Sequence, residues 1–167
     1  KDELRELAAA IGSDCPFFID AVPAVMRGRG EILEPLDAAT GARLRGMPVI
    51  LFRPDFAVGT AWAYGQLVAG APESYESEAH GLARIERFIE GGPEAALLNN
   101  SFEAAVGQKY LAIPTLLDAL RTEGYAVLMS GSGSCCFALG ECNRKKLKQI
   151  LNAAWGEGVF WVETTIR

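Results

Sequence analysis

The sequence predicts an α+β fold, with helices packed on one face of an antiparallel sheet. Three observations carry this. Residues 125–165 read in order as strand, Ser/Gly turn, strand, helix and strand. A further apolar strand stands far upstream at 48–52. Amphipathic helices fill the interval between them, and a shared apolar face is buried most simply against one side of a sheet.

The elements follow in order. Residues 1–11 read as a helix, with Leu4, Leu7, Ala8 and Ile11 on one face and Gly12 as its stop. Residues 16–20 form a short apolar element behind Pro16. Residues 24–27 and 31–36 flank Gly28-Arg29-Gly30 and read as a hairpin, and 36–46 as a connector. The strand at 48–52 is closed by Arg53-Pro54-Asp55. Thr60 is placed as the N-cap of a helix over 61–68, followed by a loop at 70–74. Residues 76–90 form a helix with Leu82, Ile85, Phe88 and Ile89 on one face, stopped by Gly91-Gly92-Pro93. Short helices at 93–98 and 101–106 surround Asn99-Asn100, and a longer one runs from 110 to 123. Strands 125–129 and 134–139 enclose the Ser/Gly turn. A helix over 143–154 and a strand over 159–165 complete the chain. A ferredoxin-like sheet matches this order.

Composition bounds the function. At 167 residues, half of them hydrophobic, the chain suits one domain with a short N-terminal appendage. A net charge of −5 argues against general nucleic-acid binding, yet leaves room for a phosphorylated small molecule at a locally positive site. Arg144, Lys145, Lys146 and Lys148 fall on one helix and read as a solvated face. The cysteines at 15, 135, 136 and 142 lack CxxC spacing, and His80 is the single histidine, on a polar helix; no metal site is read from them. Such thiols fit a reducing cytoplasm. No apolar run reaches membrane-spanning length, so no membrane partner is expected.

Two segments carry chemistry. In Gly12-Ser13-Asp14-Cys15-Pro16-Phe17-Phe18, the proline restrains the backbone behind Asp14 and biases Cys15 towards extended geometry. Asp14 is either a loop aspartate bonded to its own turn or a carboxylate held ready for proton transfer. In Ser130-Gly131-Ser132-Gly133-Ser134, the glycines admit positive φ and the hydroxyls can meet a phosphate. The same pattern also serves as a plain hairpin turn. Thr60 and Tyr64 share a helix face, and a tyrosine there either stacks on a planar base or packs half-buried in the core. Trp62 points elsewhere and reads as packing. Arg29 at the hairpin tip either meets an anion or is simply solvated.

Taken in order, Gly12-Ser13-Asp14-Cys15-Pro16, Gly28-Arg29-Gly30-Glu31 with Glu34-Pro35-Leu36, Asn100-Ser101-Phe102-Glu103 and the Ser/Gly turn resemble the GHMP superfamily of small-molecule kinases. The resemblance spans nearly the whole chain. It implies the C-terminal domain of such a kinase, with residues 1–14 closing the N-terminal kinase domain and 15–167 forming the C-terminal one. It implies phosphorylation of an alcohol with ATP and Mg²⁺, and a branch that acts on a cytidine-diphosphate-linked methylerythritol of non-mevalonate isoprenoid synthesis. Kinases of the mevalonate or homoserine type, and a non-catalytic binding module, are the alternatives. By the same resemblance Asp14 is the catalytic base, Thr60 and Tyr64 border the cytidine pocket, and Ser130, Gly131, Ser132 and Gly133 line the cleft near the phosphates. Asn100, Glu103 and Arg29 receive no role. Family members are nearly twice as long, and their N-terminal half carries a lysine and a Gly/Ser-rich loop that hold ATP. No such loop occurs here, so ATP and Mg²⁺ are expected to be bound mainly by an N-terminal kinase domain of the same protein. The isolated chain is expected to be inactive and, with the apolar surface that would meet that domain laid bare, prone to self-association.

Overall fold

The computed structural model describes residues 1–167, which divide into two compact units, 1–45 and 46–167. The first unit is held together largely by polar contacts. Helix α1 (Asp2–Ile11) buries only Ala8, while Leu4, Leu7 and Ile11 stay exposed on it. Its Arg5 reaches the short helix α2 (Phe17–Asp20), where Nε and Nη2 donate to Asp20 Oδ2 at 3.0 and 2.5 Å. Lys1 Nζ adds a third bond, to Oδ1 at 3.0 Å.

Strands β1 (Ala24–Arg27) and β2 (Ile32–Pro35) form the expected hairpin, with Ala24 opposite Pro35 and Arg27 opposite Ile32. At its tip the Glu31 carboxylate accepts the Arg29 backbone N–H at 2.6 Å. The segment 36–46, read as a connector, contains a helix, α3 (Ala38–Ala42). Asp37 starts it: one carboxylate oxygen accepts the Ala39 and Thr40 N–H groups at 2.9 and 3.0 Å, the other the Thr40 hydroxyl. This N-cap, rather than any apolar periodicity, makes a five-residue helix.

The second unit carries the sheet. Strands β3 (Pro48–Arg53), β4 (Ala126–Met129), β5 (Cys136–Leu139) and β6 (Phe160–Thr165) lie in the order β4-β5-β3-β6, all pairs antiparallel. Register places Met129, Cys136, Phe52 and Trp161 in one cross-sheet row, and Val127, Ala138 and Ile50 in the next. All but the half-buried Trp161 are buried, which marks the core face. Alternation along a strand sends every second side chain to that face.

Helices α7 (Ala112–Thr122) and α8 (Arg144–Trp155) supply Leu116, Leu117, Leu120, Leu147 and Leu151 to the same core. Helix α4 (Thr60–Ala69) contributes Ala63. Helix α5 (Glu78–Ile89) starts at the Ser77 cap, and α6 (Phe102–Gly107) follows a single 3-10 turn at Glu94–Leu97. The fold is α+β with an antiparallel four-stranded sheet and packed helices, as the sequence predicts. Along α8, Arg144 pairs with Glu163 and Lys146 with Glu123, while Lys148 lies over Trp161, so its basic run is a surface face with local partners.

Two outcomes follow from this packing. Phe52 is fully buried, 6.0 Å from the Trp155 ring. Phe52→Ala should lower the unfolding free energy by about 3–5 kcal/mol in urea melts followed by tryptophan fluorescence, while Leu7→Ala changes it by less than about 0.5 kcal/mol. In the first unit three carboxyls are held below their usual range. Asp20 is lowered by hydrogen bonds from Arg5 and then Lys1, Glu31 by its own and the Arg29 backbone N–H, and Asp37 by the Thr40 hydroxyl and N–H. Depressed carboxyls stabilise the fold above the unfolded value near ~4, and that contribution is lost as pH falls through the lowered folded values. Amide protection in residues 1–45 should therefore fall modestly as a sample is titrated below about pH 4; a rise there would contradict these bonds.

Candidate functional site

The Ser/Gly turn begins where β4 ends. Ser130 N–H donates to Cys135 O at 2.8 Å and Gly133 N–H to Ser130 O at 3.0 Å, so the loop is a closed turn. Gly131 and Gly133 both have positive φ, 54° and 81°. A Cβ at 133 would lie 2.7 Å from Met129 Sδ, whereas one at 131 would meet nothing. The buried Ser134 hydroxyl donates to Phe56 O at 2.7 Å and anchors the return strand. Ser130 and Gly131 remain exposed.

Helix α4 lies beside this turn. Its N-cap is Gly59, not Thr60. Thr60 is the first helical residue, and its hydroxyl is free to meet Ser132 Oγ at 3.2 Å. The cap reading failed because it assumed that a threonine at a helix start bonds its own backbone. One turn on, Tyr64 is 55% exposed and meets Phe102 edge-on, with ring centroids 4.8 Å apart at 78°. It is therefore a surface aromatic with accessible ring area, not a core tyrosine. Trp62 packs edge-on against Tyr110, with Lys109 Nζ 4.9 Å above its ring. The structure thus brings Thr60, Tyr64 and Ser132 together, 72 residues apart in the case of the two hydroxyls.

Asn100 and Glu103, which sequence reasoning left without a role, hold the turn from beneath. Asn100 Nδ2 donates to Met129 O at 2.7 Å and to Gly131 O at 2.8 Å, while its Oδ1 accepts the Phe102 N–H at 2.9 Å. Glu103 Oε1 accepts the Met129 N–H at 2.8 Å, and Arg121 Nη2 bonds both Glu103 oxygens and Val127 O. Burial works against the Arg121 charge, but hydrogen bonds and attraction to Glu103, helped by Asp118, outweigh it and raise its pKa. These bonds close the outer side of β4, an edge strand.

Asp14 belongs to the first unit. Residues 12–17 fold as successive turns, with Cys15 N–H on Gly12 O and Phe17 N–H on Asp14 O, in place of the extended lead into Pro16 read from the sequence. Ser13 Oγ donates to Arg29 O at 2.8 Å. A Cβ on Gly30 would lie 3.2 Å from Asp14 Cβ. The loop therefore sits directly on the hairpin tip, and two separate sequence motifs form one piece of structure. The Asp14 carboxylate itself is exposed and takes no hydrogen bond, so the local turn-bond reading is not what the structure has. A free carboxylate on a restrained loop can accept a proton from an alcohol. No group of three His, Cys, Asp or Glu side chains is placed to hold a metal ion.

Comparison with known proteins bears on the family and the fold. Residues 80–157 match the family described as GHMP kinases C terminal. The chain carries a C-terminal GHMP kinase domain. Within that class it is homologous to the 4-diphosphocytidyl-2-C-methyl-D-erythritol kinases. It is 38% identical over 144 residues to that of Nitratidesulfovibrio vulgaris, covering 83% of this chain and 48% of the relative. It is 33% identical over 156 residues to that of Bacteroides fragilis, covering 92% and 53%. The chain thus spans about half the length of these relatives. A crystal structure of 4-(cytidine 5'-diphospho)-2C-methyl-D-erythritol kinase superposes with a TM-score of 0.66 at 28% identity, over 97% of this chain and 57% of that one. Homoserine kinase from Cytophaga hutchinsonii, at 16% identity and a TM-score of 0.56 over 73% and 42% of the two chains, shares the fold alone.

The contrast between the two glycines is measurable. Gly131→Ala should cost only the strain of positive φ, about 1 kcal/mol, while Gly133→Ala adds displacement of Met129 and should cost about 2–3 kcal/mol in thermal or urea melts.

Proposed function

We propose that this chain is the C-terminal part of a 4-diphosphocytidyl-2-C-methyl-D-erythritol kinase. The enzyme would transfer the ATP γ-phosphate to the substrate's 2-hydroxyl in non-mevalonate isoprenoid synthesis. The observation that carries the reading is the meeting of Thr60, Tyr64 and the Ser130–Gly133 turn on one surface. An exposed aromatic beside a hydroxyl-lined glycine turn suits a planar base joined to a diphosphate. The homology to kinases of that substrate supports it.

In this reading Asp14 accepts the proton of the attacking hydroxyl, for which its free carboxylate is suited. Most of the acceleration in phosphoryl transfer comes from positioning and charge stabilisation rather than from the base. ATP and Mg²⁺ are assigned to the N-terminal kinase domain, the portion of the relatives that this chain does not span. The apolar stripe of Leu4, Leu7 and Ile11, the last 83% exposed, suits contact with such a domain. No helix is long and apolar enough to cross a membrane.

The test uses the intact gene product that carries this sequence, with ATP-Mg²⁺ and three alcohols: the cytidine-diphosphate methylerythritol, mevalonate and homoserine. Selective turnover of the first is expected. Asp14→Asn should lower kcat by about 10²–10⁴-fold with little change in substrate affinity. Tyr64→Ala should weaken the cytidine substrate by about 10–100-fold, with Tyr64→Phe close to wild type. Turnover of mevalonate or homoserine instead would overturn the assignment, and no turnover by a folded protein would favour a binding module.

A further inference from the structure

The residues beneath the Ser/Gly turn are distinct from those that would touch a ligand, and their chemistry is specific. A glycine-rich turn at a strand end has many accessible conformations. Here its entry is fixed by three side chains from outside the sheet. Asn100 spends both of its donated bonds on Met129 O and Gly131 O, the carbonyls that bracket Ser130. Glu103 takes the N–H of the same Met129. These bonds set where the turn leaves the strand.

They also create an electrostatic difficulty. A carboxylate bonded to Met129 N–H lies directly behind a turn expected to receive an anion. Arg121 bonds both oxygens of that carboxylate, at 3.0 and 2.8 Å. Glu103 is only 17% exposed and Arg121 37%, so the pair is screened less than one in open water.

We propose that Asn100, Glu103 and Arg121 are positioning residues that hold the Ser130–Gly133 turn in its ligand-receiving shape, with Arg121 neutralising the carboxylate behind it. The neutrality half rests on the reading that the turn receives a diphosphate; the conformational half does not.

The test takes the intact gene product that carries this sequence through two readouts. The first needs no ligand. Asn100→Asp keeps the side-chain size but turns the donating amide into a carboxylate facing two carbonyl oxygens. Amide hydrogen exchange at Ser130 and Gly133 should then quicken by about 10-fold or more, while Leu117 and Leu120 in α7 change by less than about 2-fold. Wild-type exchange at the turn overturns the positioning role. Equal acceleration everywhere does the same, because it marks a merely structural residue.

The second readout is titration with cytidine 5′-diphosphate. Arg121→Met should weaken binding by about 10-fold at low salt, with the deficit shrinking as salt approaches ~0.5 M. Glu103→Gln in the same chain should restore binding, since no bare carboxylate then remains. A deficit that ignores salt and is not rescued overturns the neutralising role. If the wild-type intact protein binds no cytidine 5′-diphosphate, the diphosphate reading falls together with the neutrality half, and the exchange result still decides whether these residues hold the turn.

Discussion

A strand at the edge of a sheet leaves half of its peptide groups without a partner strand, and β4 is such a strand. Its free side is the foundation of everything expected of this surface. Left open, those groups would invite another chain to pair with them. Here they are met by Asn100, Glu103 and Arg121, which come from α6, its approach and α7. The same contacts fix α6 against the sheet. Helix α6 begins with Phe102, whose ring abuts Tyr64. Closing an edge, seating a helix and orienting a surface aromatic are therefore consequences of one set of hydrogen bonds. The Thr60–Ser132 contact completes the circuit from the other side.

The two compact units are stabilised by different physics. Residues 46–167 enclose a continuous apolar core in which two sheet rows meet the inner faces of α7 and α8. Residues 1–45 bury little apolar surface, chiefly Ala8 and Pro16. What organises them is the Arg5–Asp20–Lys1 group, the Asp37 cap and the Glu31 carboxylate folded over the hairpin tip. Ion pairs this exposed contribute little each. The unit's order therefore depends on many small polar terms acting within a short stretch of chain.

How far the sequence could be read follows from which interactions are local. Strand alternation and helix periodicity are local, so β3 to β6, α5, α7 and α8 were legible within a few residues. Segment 36–46 was misread because α3 owes its existence to a side-chain cap rather than to apolar spacing. Thr60 was misread for the opposite reason: its hydroxyl looks like a cap but has a partner 72 residues away. Asn100 and Glu103 gave no chemical signal, since each serves backbone groups 26 to 31 residues downstream. Backbone partners leave no trace in side-chain patterning. The neighbourhood of Thr60, Tyr64 and Ser132 was visible as separate fragments, each with a bland alternative, and only the packing of α4 beside the turn joined them.

Gly30 approaches Asp14 so closely that even a methyl group would press on it, and Ser13 grips the carbonyl of the neighbouring Arg29. Two stretches of sequence sixteen residues apart therefore share a single surface. Neither can drift alone: a bulkier tip would displace the aspartate, and a reshaped aspartate loop would lose its seat. Over evolutionary time they should vary as one inherited block, and a chimaera that takes one from a relative without the other would break the contact that both exist to make.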